Sequence, residues 1–181
     1  EAFFEHPSVS PLQENLFSNL STCSNNLTDS VNVLEEVIRN SLEDFVREYA
    51  IDLIIPQNVL AIPMHVPMGL AVTNMALRGL PMIAHHHDFY WERERFLKGC
   101  AQHYLDSSFP PKIAEKFQHV VINSQAKESL MQRLGLESTV IPNVFDFENP
   151  PSNSDDYGND FRDQFEIEPD EILVLQPTRI V

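Results

Sequence analysis

The chain has 181 residues, 43% of them hydrophobic, which is enough for one packed domain and slightly more. Its 12 basic residues face 27 acidic ones for a net charge of −15. That balance argues against general DNA or RNA binding, which draws on Lys and Arg to displace counterions from phosphates. No run approaches the roughly 20 apolar residues of a membrane span, and EAFFEHPSVS has neither the basic nor the apolar region of a secretion signal. Cys23 and Cys100 lack CxxC or His-paired spacing, so they read as reduced thiols of a cytoplasmic protein, with one disulfide between them as the less favoured alternative.

The first clear element lies at 27–50. Val31, Leu34, Val37, Ile38, Leu42, Phe45 and Tyr49 recur at three- and four-residue spacing and predict one apolar helical stripe, capped by Thr28 or Asn26. IDLIIP, 51–56, follows as a run apolar on both faces, the pattern of a central parallel strand. Residues 66–79 suit a small-residue helix ended by Gly79, and PMIAH, 81–85, a second buried strand. A helix over 92–105 is expected to stop before Pro110 and Pro111. HVVINS, 119–124, predicts a third strand, with Ser124 capping the helix that follows, and STVIPN, 138–143, a fourth. Strand alternating with helix implies an α/β fold, a doubly wound parallel sheet of Rossmann-like type.

The boundaries follow from composition. Residues 1–145 form the sheet domain, 146–170 an acidic, proline-containing linker with a short helix, and 171–181 an apolar strand opening a second domain. The chain opens on a helix and stops on a strand, so the expectation is a fragment lacking its first βα unit and most of a second domain.

HHHDFYWERERF, 85–96, is the densest polar and aromatic cluster. A metal site fits poorly, because strand alternation puts His85 and His87 on one side and His86 on the other, with no further ligand pair at a suitable spacing. Position argues better: His87 and Asp88 end a strand, where open α/β sheets bind ligands. A histidine there can donate to a substrate hydroxyl or a leaving phosphate, and the carboxylate can fix a polyol. His85 is either a further substrate contact or a satisfied strand-end residue. Tyr90 and Trp91 either stack on a sugar ring or pack beneath the loop. Arg93 either binds substrate or belongs to a solvated helical face with Glu92, Glu94 and Arg95. Asn58, His65 and Asn74 flank strand 51–56 with nothing to single them out. Arg179, after the last apolar run, would suit a phosphate.

The succession IDLIIPQN, PMGLAVTNMALRGLPMIAHHHD, HVVINSQAKESLMQRLGL, STVIPNVFDFE and ILVLQPTRIV resembles retaining nucleotide-sugar glycosyltransferases of the GT-B fold. It is most similar to the large group 1 family that includes sucrose synthases and phosphatidylinositol mannosyltransferases. Pro81 and His87 keep that family's six-residue spacing, and Val120 to Ser124 match its strand-helix junction. IPNVFD, 141–146, matches its linker motif with Val144 in place of glycine, and Thr178 and Arg179 match the opening of its second domain. The resemblance implies an acceptor-side half. His87 and Asp88 would be catalytic, His85, Tyr90, Trp91 and Arg93 would line the substrate, and Arg179 would hold the donor diphosphate. It further implies a nucleotide-diphosphate sugar as donor, a small-molecule or glycan acceptor, no metal or resident cofactor, and no activity for this piece alone. A nucleotide-sugar epimerase of the same shape, or a non-enzymatic sugar- or nucleotide-binding α/β domain, remain the alternatives. Donor sugar, acceptor and oligomeric state are not legible.

Overall fold

The computed structural model describes residues 5–144, 146, 148–149, 160–168 and 170–174. The chain divides into two compact units, Glu1–Asn143 and Val144–Val181. Within the first, the elements are α1 (Ser10–Leu16), α2 (Asn25–Glu48), α3 (Val66–Leu77), β1 (Met82–His86), α4 (Gln102–Ser108), β2 (Phe117–Val121), α5 (Ser124–Leu134) and β3 (Thr139–Val140). The strands form one parallel sheet in the order β1-β2-β3, with Met82 opposite Phe117 and Val120 opposite Thr139. Helical crossovers link them, and the unit is an α/β, Rossmann-like arrangement as the alternating pattern requires.

The helical stripe of α2 is real but narrower than its sequence suggests. Val31, Leu34 and Ile38 are buried, whereas Val37, Phe45 and Tyr49 are more than two-fifths exposed. Each buried member contributes about 1.5–3 kcal/mol relative to exposure, so these three anchor the helix. The cap is Ser24, whose hydroxyl accepts from Leu27 N, and neither Asn26 nor Thr28. Likewise α5 is capped by Asn123, accepting from Ala126 N at 2.8 Å, and not by Ser124. A polar ladder ties α2 to α3: Arg39 pairs with Glu35 and Glu43, Glu43 with Arg78, and Asn74 donates to Glu35.

Segment 51–56, expected as a central strand, is an edge among the described residues. Ile54 and Gln57 bridge to Met82 and His85 of β1, with Ile83 N donating to Ile54 O and His85 N to Pro56 O. Leu53 and Ile55 are 43% and 51% exposed on one face, whereas Ile54 between them packs against the core on the other. The helix expected over 92–105 is also corrected. Two 3-10 turns, Tyr90–Glu92 and Glu94–Phe96, are separated by an extended Arg93, and α4 begins only at Gln102. Gly99, at φ +91°, breaks the run and brings Cys100 N onto Leu16 O at 3.0 Å.

Cys23 and Cys100 form a disulfide with Cα atoms 5.1 Å apart, so the less favoured alternative holds and the free-thiol reading does not. The helical chain folds the start of α2 onto the segment preceding α4, and spacing in sequence could not reveal that approach. The second unit contains α6 (Phe161–Gln164), with Arg162 donating to the carbonyls of Glu168 and Glu171. Residues 171–174 are not in a strand, and the rest of the strand expected over 171–181, Arg179 included, lies outside the described residues.

Candidate functional site

β1 is extended, so its three histidines separate by parity. His86 points inward and is 1% exposed. Its Nε2 meets His119 Nδ1 of β2 at 2.9 Å, their rings stacked 5.2 Å apart. Burial pushes His86 down to about 3, reinforced by His119, His85 and His87 nearby. His119 is likewise pushed down to about 4 by burial, partly offset by a backbone group of Pro111. Both rings are therefore neutral at physiological pH and serve the core.

His85 and His87 lie together on the other side, with ring centroids 4.8 Å apart. Gln57 joins them: its Oε1 is 2.9 Å from His85 Nδ1 and 3.3 Å from His87 Nε2. With that oxygen as common acceptor, His85 Nδ1 and His87 Nε2 both donate to it. His85 Nε2 is buried without a hydrogen-bond partner among the described residues.

Asn58 organises the residues that follow β1. It sits at φ +60°, a left-handed conformation that Asn tolerates better than most residues. Its backbone N–H donates to His85 O at 2.8 Å, which extends the parallel ladder by one step. From there its side chain reaches across the strand end. Oδ1 accepts from the backbone N–H of His87 at 2.9 Å, and Nδ2 donates to Asp88 Oδ1 at 2.6 Å. The second Asp88 oxygen receives Arg93, an ion pair that replaces the Glu–Arg pairs of the expected helix. The result is a fixed carboxylate beside two imidazoles at the carboxyl edge of the sheet. Such a group can accept hydrogen bonds from sugar hydroxyls while the imidazoles donate to or accept from a bound polar ligand.

The aromatics divide. Phe89 is fully buried and stacks on Trp91 at 4.4 Å. Trp91 donates to Ser129 Oγ at 3.1 Å, lies under the guanidinium of Arg133 and packs against α5. Its ring is thus engaged with the protein. Tyr90 is half-buried beside it, with its backbone N–H on Ala61 O, and burial raises its phenol. Of the sequence-predicted residues, His85, His87, Asp88 and Arg93 come together, Tyr90 and Trp91 stand to one side, and Arg179 lies outside the described residues. Gln57 and Asn58 are the members sequence reading did not select. Their only signal was position, directly after an apolar run that ends in Pro56. His65 and Asn74, equally placed by that reasoning, are structural: His65 Nδ1 accepts from Met68 N to cap α3, and Asn74 binds Glu35.

Among the described residues no group of three or more His, Cys, Asp or Glu side chains could hold a metal ion. Nor is any described helix long and apolar enough to cross a membrane.

No protein-family model matches the chain, and no solved structure matches it. Curated relatives do. A mannosylglucosylglycerate synthase of Thermotoga maritima is 32% identical over 184 residues, spanning 99% of this chain and 42% of the relative. A second protein of that name, from Petrotoga mobilis, is 37% identical over 176 residues, spanning 94% of this chain and 39% of the relative. The chain thus spans about two-fifths of the length of the curated relatives it matches, and is similar to them along nearly its own whole length.

Proposed function

We propose that this chain forms the acceptor-side part of a retaining GT-B glycosyltransferase, which moves a sugar from a nucleotide diphosphate to an acidic glycoside. The observation that carries the reading is the similarity to two mannosylglucosylglycerate synthases over nearly every residue of the chain. A product of that name contains a hexose joined to a glycosylated glycerate, so a sugar-transfer step onto a glycerate-bearing acceptor is the reaction to expect here.

The strand-end constellation supports it. Transfer from a nucleotide sugar breaks the anomeric C–O bond to the diphosphate and forms a new C–O bond to an acceptor hydroxyl, whose proton leaves with the departing phosphate. Positive charge develops at the anomeric carbon and negative charge on the leaving group. His87, tied through its backbone to Asn58 and through its ring to Gln57, would contact the transferred sugar. Asp88, fixed by Asn58 and Arg93, takes sugar hydroxyls. Arg179 would bind the donor diphosphate. Neither the epimerase nor the binding-domain alternative has an observation in its favour.

The test uses the full-length protein with UDP- and GDP-sugars and glucosylglycerate. His87→Ala is expected to lower kcat for transfer by roughly 100-fold, with the melting temperature close to that of the wild type. If donor hydrolysis and transfer both proceed unchanged, His87 does not have this role.

A further inference from the structure

A second feature is a cavity of about 500 Å³ that shares no lining residue with the constellation above. One wall is α1, through Ser10, Gln13 and Glu14. The other is Met64, in the loop after the 54–57 edge, with Arg95 and Lys98, in the loop after β1. Gln13 holds the walls together, its Nε2 on Pro63 O at 2.7 Å and its Oε1 on Val66 N at 3.0 Å. Phe17 and Phe96, edge to face at 5.0 Å, add apolar lining, and the Arg95 guanidinium lies over Phe96 and reaches the Met64 sulfur.

Arg95 and Lys98 are the informative members. Neither cation has a carboxylate partner among the described residues, as is also true of Lys112, Lys116, Lys127, Arg133 and Arg162, but only these two line a cavity together. Arg93, two positions earlier, is by contrast paired with Asp88. Glu5 and Glu14 also line the cavity, so carboxylates are near and the geometry still keeps them off the cations. The lining therefore offers unpaired cations, which suit an anionic group, beside carboxylates and a Ser10 hydroxyl, which suit sugar hydroxyls.

We propose that this cavity binds an acidic glycoside, with its carboxylate on Arg95 and Lys98 and its sugar hydroxyls toward Glu14 and Ser10. Its role as the acceptor subsite rests on the sugar-transfer reading above. The binding itself does not.

Calorimetric titration of the full-length protein separates the two. The probes are glucosylglycerate and its neutral counterpart glucosylglycerol, each titrated into wild type, Arg95→Ala, Arg95→Lys and the Arg95→Ala/Lys98→Ala double variant. Both residues are exposed, so the variants are expected to fold, and an unchanged circular-dichroism melt checks this. Wild type should bind glucosylglycerate at least roughly tenfold more tightly than glucosylglycerol. Arg95→Ala should lose most of that preference, Arg95→Lys should keep part of it, and the double variant should bind both probes alike. Equal binding of the two probes by wild type, no binding of glucosylglycerate, or a preference that survives the double substitution overturns the proposal. Sugar release from UDP- and GDP-sugars is measured in parallel. If none occurs while the charge preference and its Arg95 dependence persist, the sugar-transfer reading fails and the carboxylate site stands.

Discussion

At the level of single residues, β1 assigns three adjacent histidines to two environments by alternation alone. His85 and His87 face the polar strand end, while His86 enters the core against His119. Both core rings have their pKa lowered, so between about 6.5 and about 4 the unfolded chain takes up protons that the folded chain refuses. Their contribution to stability is fully present above pH 6.5 or so and is lost as pH falls toward those lowered values. Urea unfolding at a series of pH values should show stability dropping below about pH 6.5, with a shallower drop for His119→Gln. Identical pH profiles for the two proteins would contradict the assignment. Much of this was legible, because period-two alternation already separated His86 from its neighbours. Asn58 was not. Its side-chain bonds to His87 N and Asp88 depend on a left-handed backbone and a neighbouring strand thirty residues away, neither of which a local pattern encodes.

At the level of elements, glycines mark where the helical reading failed and where it held. Gly135 ends α5 at φ +68° with open space around a prospective Cβ, while Gly99 at φ +91° would place a Cβ 2.1 Å from Leu16 O. Gly135→Ala should therefore cost only the left-handed strain, about 1 kcal/mol. Gly99→Ala adds a backbone collision and should cost about 3 kcal/mol or more, read as a lower unfolding midpoint. Equal costs would mean that α1 can move away from the 93–101 loop without penalty. The helix predicted over 92–105 carried no visible stop, since Glu, Arg and Leu favour helix and only one glycine interrupts them. Contact with α1 overrides that propensity.

At the level of the whole molecule, the disulfide joins residues 77 apart within the first unit. Closing a loop of that length stabilises by about 4.5 kcal/mol in the chain-entropy account. Thermal unfolding with a thiol reductant, or of Cys23→Ser/Cys100→Ser, should show a melting point lower by roughly 10 °C or more. An unchanged melting point would mean the two sulfurs are not joined in solution. The pairing also removes the free-thiol argument for a reducing compartment.

Sequence by itself determined the class of this protein. Buried apolar runs alternating with amphipathic helices leave few arrangements other than a parallel sheet with crossover connections, and hydrophobic period is a local property that a single chain displays. It also located the strand end bearing His87 and Asp88, because a polar cluster directly after an apolar strand must fall at the sheet's carboxyl edge. Tertiary structure alone decided which residues meet there. Gln57 and Asn58 reach His85, His87 and Asp88 only because segment 54–57 pairs in parallel with β1, and α1 closes a cavity around Arg95 and Lys98 only because the chain folds back across the loop. Such contacts depend on distance in space, and spacing along the chain carries no record of it.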